Sequence, residues 1–280
     1  MVKIGIFNKL LICLMAFFLI GCENITKVQV MVGAKNLEFE FMKNADDIDK
    51  IEIQNIRDEK FIFIIIDKNA IIDIYDILSK GKIAPEKSDL NPDYAFTVYT
   101  KGGKIFKFNY LTGNFGNLFG NFYDDNDNIF YISDLLDKNI IDNFLIFRKV
   151  PRKFNDVYYN CIIDVMNLYN KFDNSLDGSE IAIDLNGDTE YRKFIFSNDI
   201  NNFMDKLLKS NFNAKIYDLD LPVPSDIDLK IKTIGFDEYT YKCSYIFTNH
   251  SKGSKESYSL RAEYKSQKWN VDISKDEDEE

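Results

Sequence analysis

Hydrophobic and polar residues alternate in short bursts along most of this chain, and between the bursts apolar residues recur at helical spacing. Ile51 and Ile53 alternate with polar neighbours and residues 61–66 form an apolar run, which predicts two strands. Asp67 or Asn69 then opens a helix, because Ile71, Ile74, Tyr75 and Leu78 fall at i, i+3, i+4 and i+7, and Gly81 supplies a stop. Tyr94, Phe96 and Val98 alternate up to a Lys101-Gly102-Gly103-Lys104 turn, and Phe106, Phe108 and Tyr110 return from it as a hairpin.

The same plan recurs. Ile181 and Ile183 alternate, residues 191–196 predict a strand, and Ser197 is expected to cap a helix carrying Ile200, Phe203, Met204 and Leu207. Ile227, Leu229 and Ile231 alternate with charges, Tyr239 to Phe247 and Tyr258 to Tyr264 form two long strands, and Trp269, Val271 and Ile273 end a meander. The offset between the copies is 130 residues at Ile51 and Ile181 and 129 at Ile71 and Ile200. Duplication and convergent use of a common plan both account for it. The period exceeds that of solenoid repeats, so two similar modules are expected rather than an array.

Two helices lie between the copies. Ser133 caps one with Leu136, Ile140 and Phe144, and Pro151 separates it from a longer one with Phe154, Tyr158, Cys161, Val165, Leu168 and Phe172. The predicted modules therefore span residues 47–150 and 151–274, after a lead-in or tether at 22–46 and before an acidic tail at 275–280. Within the lead-in, residues 28–32 and 37–41 are strand-like, divided by Gly33. The fold class is α+β, with antiparallel sheets and helices packed on them, rather than alternating βαβ units.

The first 22 residues break this pattern. Lys3 and Lys9 precede an uncharged apolar run over residues 10–20, shorter than the roughly 20 residues that span a bilayer but suited to a signal peptide. Leu19-Ile20-Gly21-Cys22 closes the run. This segment resembles the lipobox of bacterial lipoproteins, in which aliphatic and small residues precede a cysteine that is acylated. The resemblance covers the export segment alone. It implies a signal peptide over residues 1–21, lipidation of Cys22 and an exported protein held on a bacterial membrane.

Without residues 1–21 the chain has 33 Lys and Arg against 45 Asp and Glu, a formal charge of −12. That sign argues against nucleic acid, which needs clustered cations to displace counterions. It also argues against a polybasic grip on lipid headgroups, leaving acyl chains as the anchor. With 45% hydrophobic residues the chain can bury a sizeable core.

Candidate chemistry is sparse. The one histidine, His250, lies in an Asn249-His250-Ser251-Lys252-Gly253 turn, so a histidine-based triad or zinc site is not expected. Carboxylates are abundant, but no motif singles out the pair that a glycosidase needs. Residues 173–184 resemble a calcium loop, with Asp173, Ser175 and Asp177 at positions 1, 3 and 5, Gly178 at 6 and Asp184 at 12. They depart from it at Glu180, at the Asp in place of a bidentate Glu, and in the strand that follows; no metal is assigned. The Gly-Asn-apolar repeats of residues 113–122 offer a ligand or partner surface built from Phe115, Phe119, Phe122, Tyr123 and Tyr131, or else a loop whose Phe residues plug the core edge. Cys161 and Cys243 fall on apolar faces, as free thiols or as a disulfide.

These residues favour a non-enzymatic, lipid-anchored extracytoplasmic binding or interaction protein, with no cofactor and an envelope protein or cell-wall component as partner. The alternatives are a glycan- or small-solute-binding lipoprotein and a carboxylate-dependent hydrolase.

Overall fold

A computed structural model describes residues 44–113, 119–126, 128–138, 150–173, 176–217 and 225–276. The fold is α+β: among the described residues it has a seven-stranded and a six-stranded sheet with three α-helices. Cys22, the lead-in up to residue 43, most of the helix predicted after Ser133, and residues 277–280 of the tail lie outside the described residues.

The first sheet contains β1 (Ile48–Asn55), β2 (Ile62–Ile65), β3 (Lys82–Ile83), β4 (Tyr94–Thr100), β5 (Ile105–Tyr110), β6 (Phe122–Tyr123) and β7 (Ile129–Tyr131). Its order is β2-β1-β4-β5-β6-β7-β3, with every pair antiparallel. Period-2 alternation sends Ile51, Ile53, Phe96, Val98 and Phe108 to one face, where α1 (Lys68–Ser79) lays Ile71, Ile74 and Leu78 on them. Asp67 caps α1, its carboxylate accepting from the Asn69 and Ala70 amides.

The second module opens with α2 (Phe154–Asp173), followed by β8 (Ile181–Asp184), α3 (Ser197–Lys209) and β9 (Ala214–Tyr217). The meander β10 (Ile227–Phe236), β11 (Thr240–Asn249), β12 (Ser254–Lys265) and β13 (Lys268–Lys275) completes it. The sheet order is β13-β12-β11-β10-β8-β9. Its buried core is aromatic, with Tyr158 stacked on Tyr191 at 3.7 Å and Tyr169 on Phe247 at 4.1 Å.

Three expectations change. The second sheet is mixed, because β8 runs parallel to both β9 and β10. α3 returns the chain to start β9 in the direction of β8, whereas β1 is antiparallel to both its neighbours, so the modules share their ingredients but not their topology. Residues 191–196 are not a strand: Arg192–Phe194 form a 3₁₀ turn. Tyr191 and Phe194 both pack on Phe154, at 4.3 and 6.1 Å. Three-residue spacing puts them on one side in a 3₁₀ turn, where a strand would put them on opposite faces. Ser197 is the first residue of α3 rather than its cap, and its side chain is engaged elsewhere.

Candidate functional site

The chain enters α2 through Pro151, Arg152 and Lys153, the last in the left-handed region at φ 50°. The Trp269 indole donates to the Arg152 carbonyl at 2.8 Å, tying the β12–β13 hairpin to this entry. Arg152 also donates to the Tyr239 hydroxyl at 3.1 Å and lies 5.1 Å above that ring. The hairpin turns through Ser266 and Gln267, both at positive φ, as a tight two-residue connection requires.

A groove of about 300 Å³ runs between the helix and the hairpin. On the helix side Asp156, Asn160 and Asp164 line it at i, i+4 and i+8, so they form one row, with Val157 and Cys161 beside them. On the hairpin side Tyr264 and Trp269 make an aromatic wall, their rings 5.3 Å apart at 61°. Lys153 and Lys268 complete the rim. Partial burial raises the Asp164 carboxyl above its ordinary range. Asp164 has no hydrogen-bond or ion-pair partner among the described residues.

A second hollow, about 290 Å³, lies around the α2 entry between Phe154, Asn155, Phe194 and Phe196, and shares Lys153 and Asp156 with the groove. Behind it the modules meet in a buried polar cluster. Arg57 and Asp93, 1% and 0% exposed, pair at 2.7 Å. Asp93 also accepts from the Thr112 amide and hydroxyl at 2.9 and 2.8 Å and from the Ser197 amide at 2.8 Å. A carboxylate of the first module thus caps the N-terminus of α3 in the second, and Arg57 donates to the Ser197 hydroxyl at 2.6 Å. The amide of Asn55 donates to the Lys193 carbonyl at 3.2 Å.

Asp199, in the first turn of α3, accepts from Asn155 at 2.7 Å, and Asn155 in turn accepts from the Tyr191 hydroxyl at 3.1 Å. Burial pushes the Asp199 carboxyl up to about 7; the charge of Asp93 adds to this, and Arg57 and the Asn155 bond oppose it. Asp188 is buried too, and burial raises its carboxyl against the bonds it accepts from Thr233 and Tyr158. Its other oxygen takes the Thr233 amide at 3.0 Å, at the bulge in β10.

The residues singled out from sequence lie apart from the groove. Phe122 is a core residue rather than part of a ligand surface, stacked on Phe108 at 4.7 Å, and Tyr123 is buried beside it. Phe119 is exposed, Tyr131 half-buried, and Phe115 lies outside the described residues. The Gly-Asn signal has a packing cause at residues 120 and 121. A Cβ on Gly120 would meet Ile129 at 2.2 Å, and the Asn121 side chain pairs with both backbone groups of Ile132, at 2.8 and 3.0 Å.

Of the calcium candidates, Asp173 is the last residue of α2 and Ser175 lies outside the described residues. Asp177 accepts from Asn170, and Asp184 ends β8 and accepts from the Gly187 amide. Strand rise over residues 181–184 carries Asp184 about 10 Å along the sheet, the opposite of a loop closing on an ion. Among the described residues no cluster of three or more His, Cys, Asp or Glu could hold a metal. His250 is exposed and bonds Asp228 at 2.9 Å. Cys161 and Cys243 are free and buried; burial raises both thiols, Cys243 to about 12. No described helix is long and apolar enough to cross a membrane.

The sequence reading missed the groove. The Asp156-Asn160-Asp164 row was present on the helix, flanking the apolar face used to identify it, and the sole tryptophan marked the other wall.

Taken together, the chain is an α+β protein with two sheets, a groove in the second module and a buried polar clamp between the modules. Residues 44–149 match a family model described as YhfM protein, so the first module is similar to that family. No curated protein and no solved structure matches the chain.

Proposed function

We propose that this chain is a lipid-anchored, extracytoplasmic binding protein of a bacterial cell envelope, non-enzymatic, held to the membrane by acyl chains on Cys22. The lipobox-like Leu19-Ile20-Gly21-Cys22 supports the anchor. The observation that carries the binding role is the groove beside Trp269, lined by aromatic rings and a row of polar side chains, whose four charged residues form no ion pair among the described residues. Such a concave site, mostly preformed and walled by a few oriented polar groups, is what small-ligand recognition uses.

A protein partner is a second use of the same anchored chain, favoured by β2. This edge strand exposes Ile62 and Ile64 by 48 and 59%, and Ile66, just past its end, is exposed by 74%. Among the described residues its outer backbone edge has no neighbouring strand, which suits an added strand from an extended partner segment.

The test is crosslinking on intact cells with the native chain and the Cys22→Ala variant, with acyl labelling of both. Acyl label on the native chain alone, with captured species lost in the variant, supports the proposal. Normal acyl labelling of Cys22→Ala overturns the anchor, and the same captures with and without it overturn the envelope-bound role.

A further inference from the structure

We propose that the groove between α2 and the β12–β13 hairpin binds a neutral, extended saccharide, with Trp269 and Tyr264 as stacking faces and Asp156, Asn160 and Asp164 as the hydroxyl-binding row. This rests on the binding role proposed above and names its ligand class.

Three features of the groove define that class. Its charges balance: Asp156 and Asp164 line it together with Lys153 and Lys268, and none of the four forms an ion pair among the described residues. An ammonium ligand meets two lysines and an anion meets two carboxylates, so a neutral molecule rich in donors and acceptors is the best match. Next, the row has a repeat. Residues four apart on a helix rise about 6 Å along its axis. That step is comparable with the spacing of successive pyranose rings, so each polar side chain can serve one ring of a chain laid along α2.

Finally, the aromatic wall is preorganised. The Trp269 N–H is already bonded to Arg152, which fixes the indole and leaves its apolar carbon surface as the recognition element. Apolar C–H faces of a sugar cover such surface while its hydroxyls point to the row. The hydrogen-bond roles divide accordingly. The Asn160 oxygen already accepts from Lys206 at 3.1 Å, so its amide N–H₂ remains to donate. The two carboxylates accept hydroxyl protons in charge-assisted bonds, and the unpartnered Asp164 gains most from a ligand donor.

Trp269 is the only tryptophan in the chain, so its fluorescence reports this groove directly. The full-length chain is titrated with cellotriose and with N,N′,N″-triacetylchitotriose, and with cationic glucosamine and anionic galacturonate trimers as controls. The expected result is a saturable change with at least one neutral trimer and at least 10-fold weaker responses to both charged ones. Tyr264→Ala and Asp164→Ala are each expected to weaken binding at least 10-fold. If either fails to fold, the exposed double variant Asp156→Ala/Asn160→Ala replaces it. No saturable change with either neutral trimer overturns the proposal, as does a stronger response to a charged trimer or unchanged affinity in the variants. The cell crosslinking separates the two claims. A groove silent to sugars whose Tyr264→Ala variant still alters the captured species refutes the saccharide class but not the binding role.

Discussion

Asp199 gives the sharpest test of the electrostatics at the module junction. Its carboxyl is pushed from an ordinary 3.8 to about 7, first by burial and then by the charge of Asp93. The native state therefore holds a proton that the unfolded chain has released between about pH 4 and 7. The contribution of Asp199 to stability falls as pH rises through that window and levels off above it, because the slope follows the difference in bound protons. A shift of about three units at 1.36 kcal/mol each amounts to about 4 kcal/mol. The N-terminus of α3 favours a carboxylate in its first turn by about 0.5–1 kcal/mol, which leaves about 3 kcal/mol of net penalty.

Asp199→Asn keeps the oxygen that accepts from Asn155 and removes the charge. The variant is expected to match the wild type near pH 4, to gain on it between pH 4 and 7, and to be about 3 kcal/mol more stable at pH 8. At roughly 2–4 °C per kcal/mol for a protein of this size, the difference is visible in melting temperature. Urea unfolding of both proteins at pH 4 to 8 measures it. A pH-independent offset would refute the reasoning. A variant less stable at pH 8 would show that attraction to Arg57 outweighs the burial of Asp199.

Other consequences can be checked on the same preparations. Arg57→Met leaves Asp93 buried without its cation and is expected to cost about 3–5 kcal/mol by denaturant unfolding; a loss below about 1 kcal/mol would mean that the bonds from Thr112 and Ser197 hold the carboxylate without Arg57. Cys161 and Cys243 should resist a thiol reagent in the native protein and react on unfolding, as mass mapping of the labelled sites reads; fast native labelling would contradict their burial. Ile64→Lys on the exposed edge strand should change stability by no more than about 0.5 kcal/mol while lowering self-association in light scattering, and an unchanged scattering profile would remove β2 as a sticky edge.

Much of the fold was legible because its signals are local. The 3.6-residue spacing of Ile71, Ile74 and Leu78 and the capping Asp67 gave α1, and the Gly102-Gly103 turn between alternating aromatics gave β4 and β5. What failed depended on partners distant in sequence. Residues 191–196 have the composition of a strand, yet Tyr191 and Phe194 must both reach Phe154, and that contact decides for a 3₁₀ turn. Ser197 looked like a cap because its sequence neighbourhood fits one; the cap is Asp93, 104 residues earlier. The groove was half legible. Periodicity shows a polar row on α2, but nothing local says that a hairpin about a hundred residues later stands across from it. The Gly-Asn repeats misled in the opposite direction, since a close approach at Gly120 and a backbone-mimicking Asn121 give the same composition as a ligand loop.

The clamp and the groove share one element, and magnitudes indicate how far a disturbance travels between them. Asp93 holds the start of α3, and near the other end Lys206 of the same helix reaches Asn160 in the polar row. A change at Arg57 therefore has a physical route to the groove. That route ends in an exposed side-chain hydrogen bond, worth about 0.5–1.5 kcal/mol at most. The groove's other supports, the Trp269 bond to Arg152 and the packing of α2 on the second core, do not pass through the first module. Arg57→Met, under conditions where it stays folded, is thus expected to change the response of Trp269 to the best-binding trimer by less than about 10-fold, while Lys206→Met gives a change of similar size on its own. A complete loss of binding in Arg57→Met would mean that the two modules set the groove together, and that the buried ion pair belongs to the binding site rather than to the scaffold beneath it.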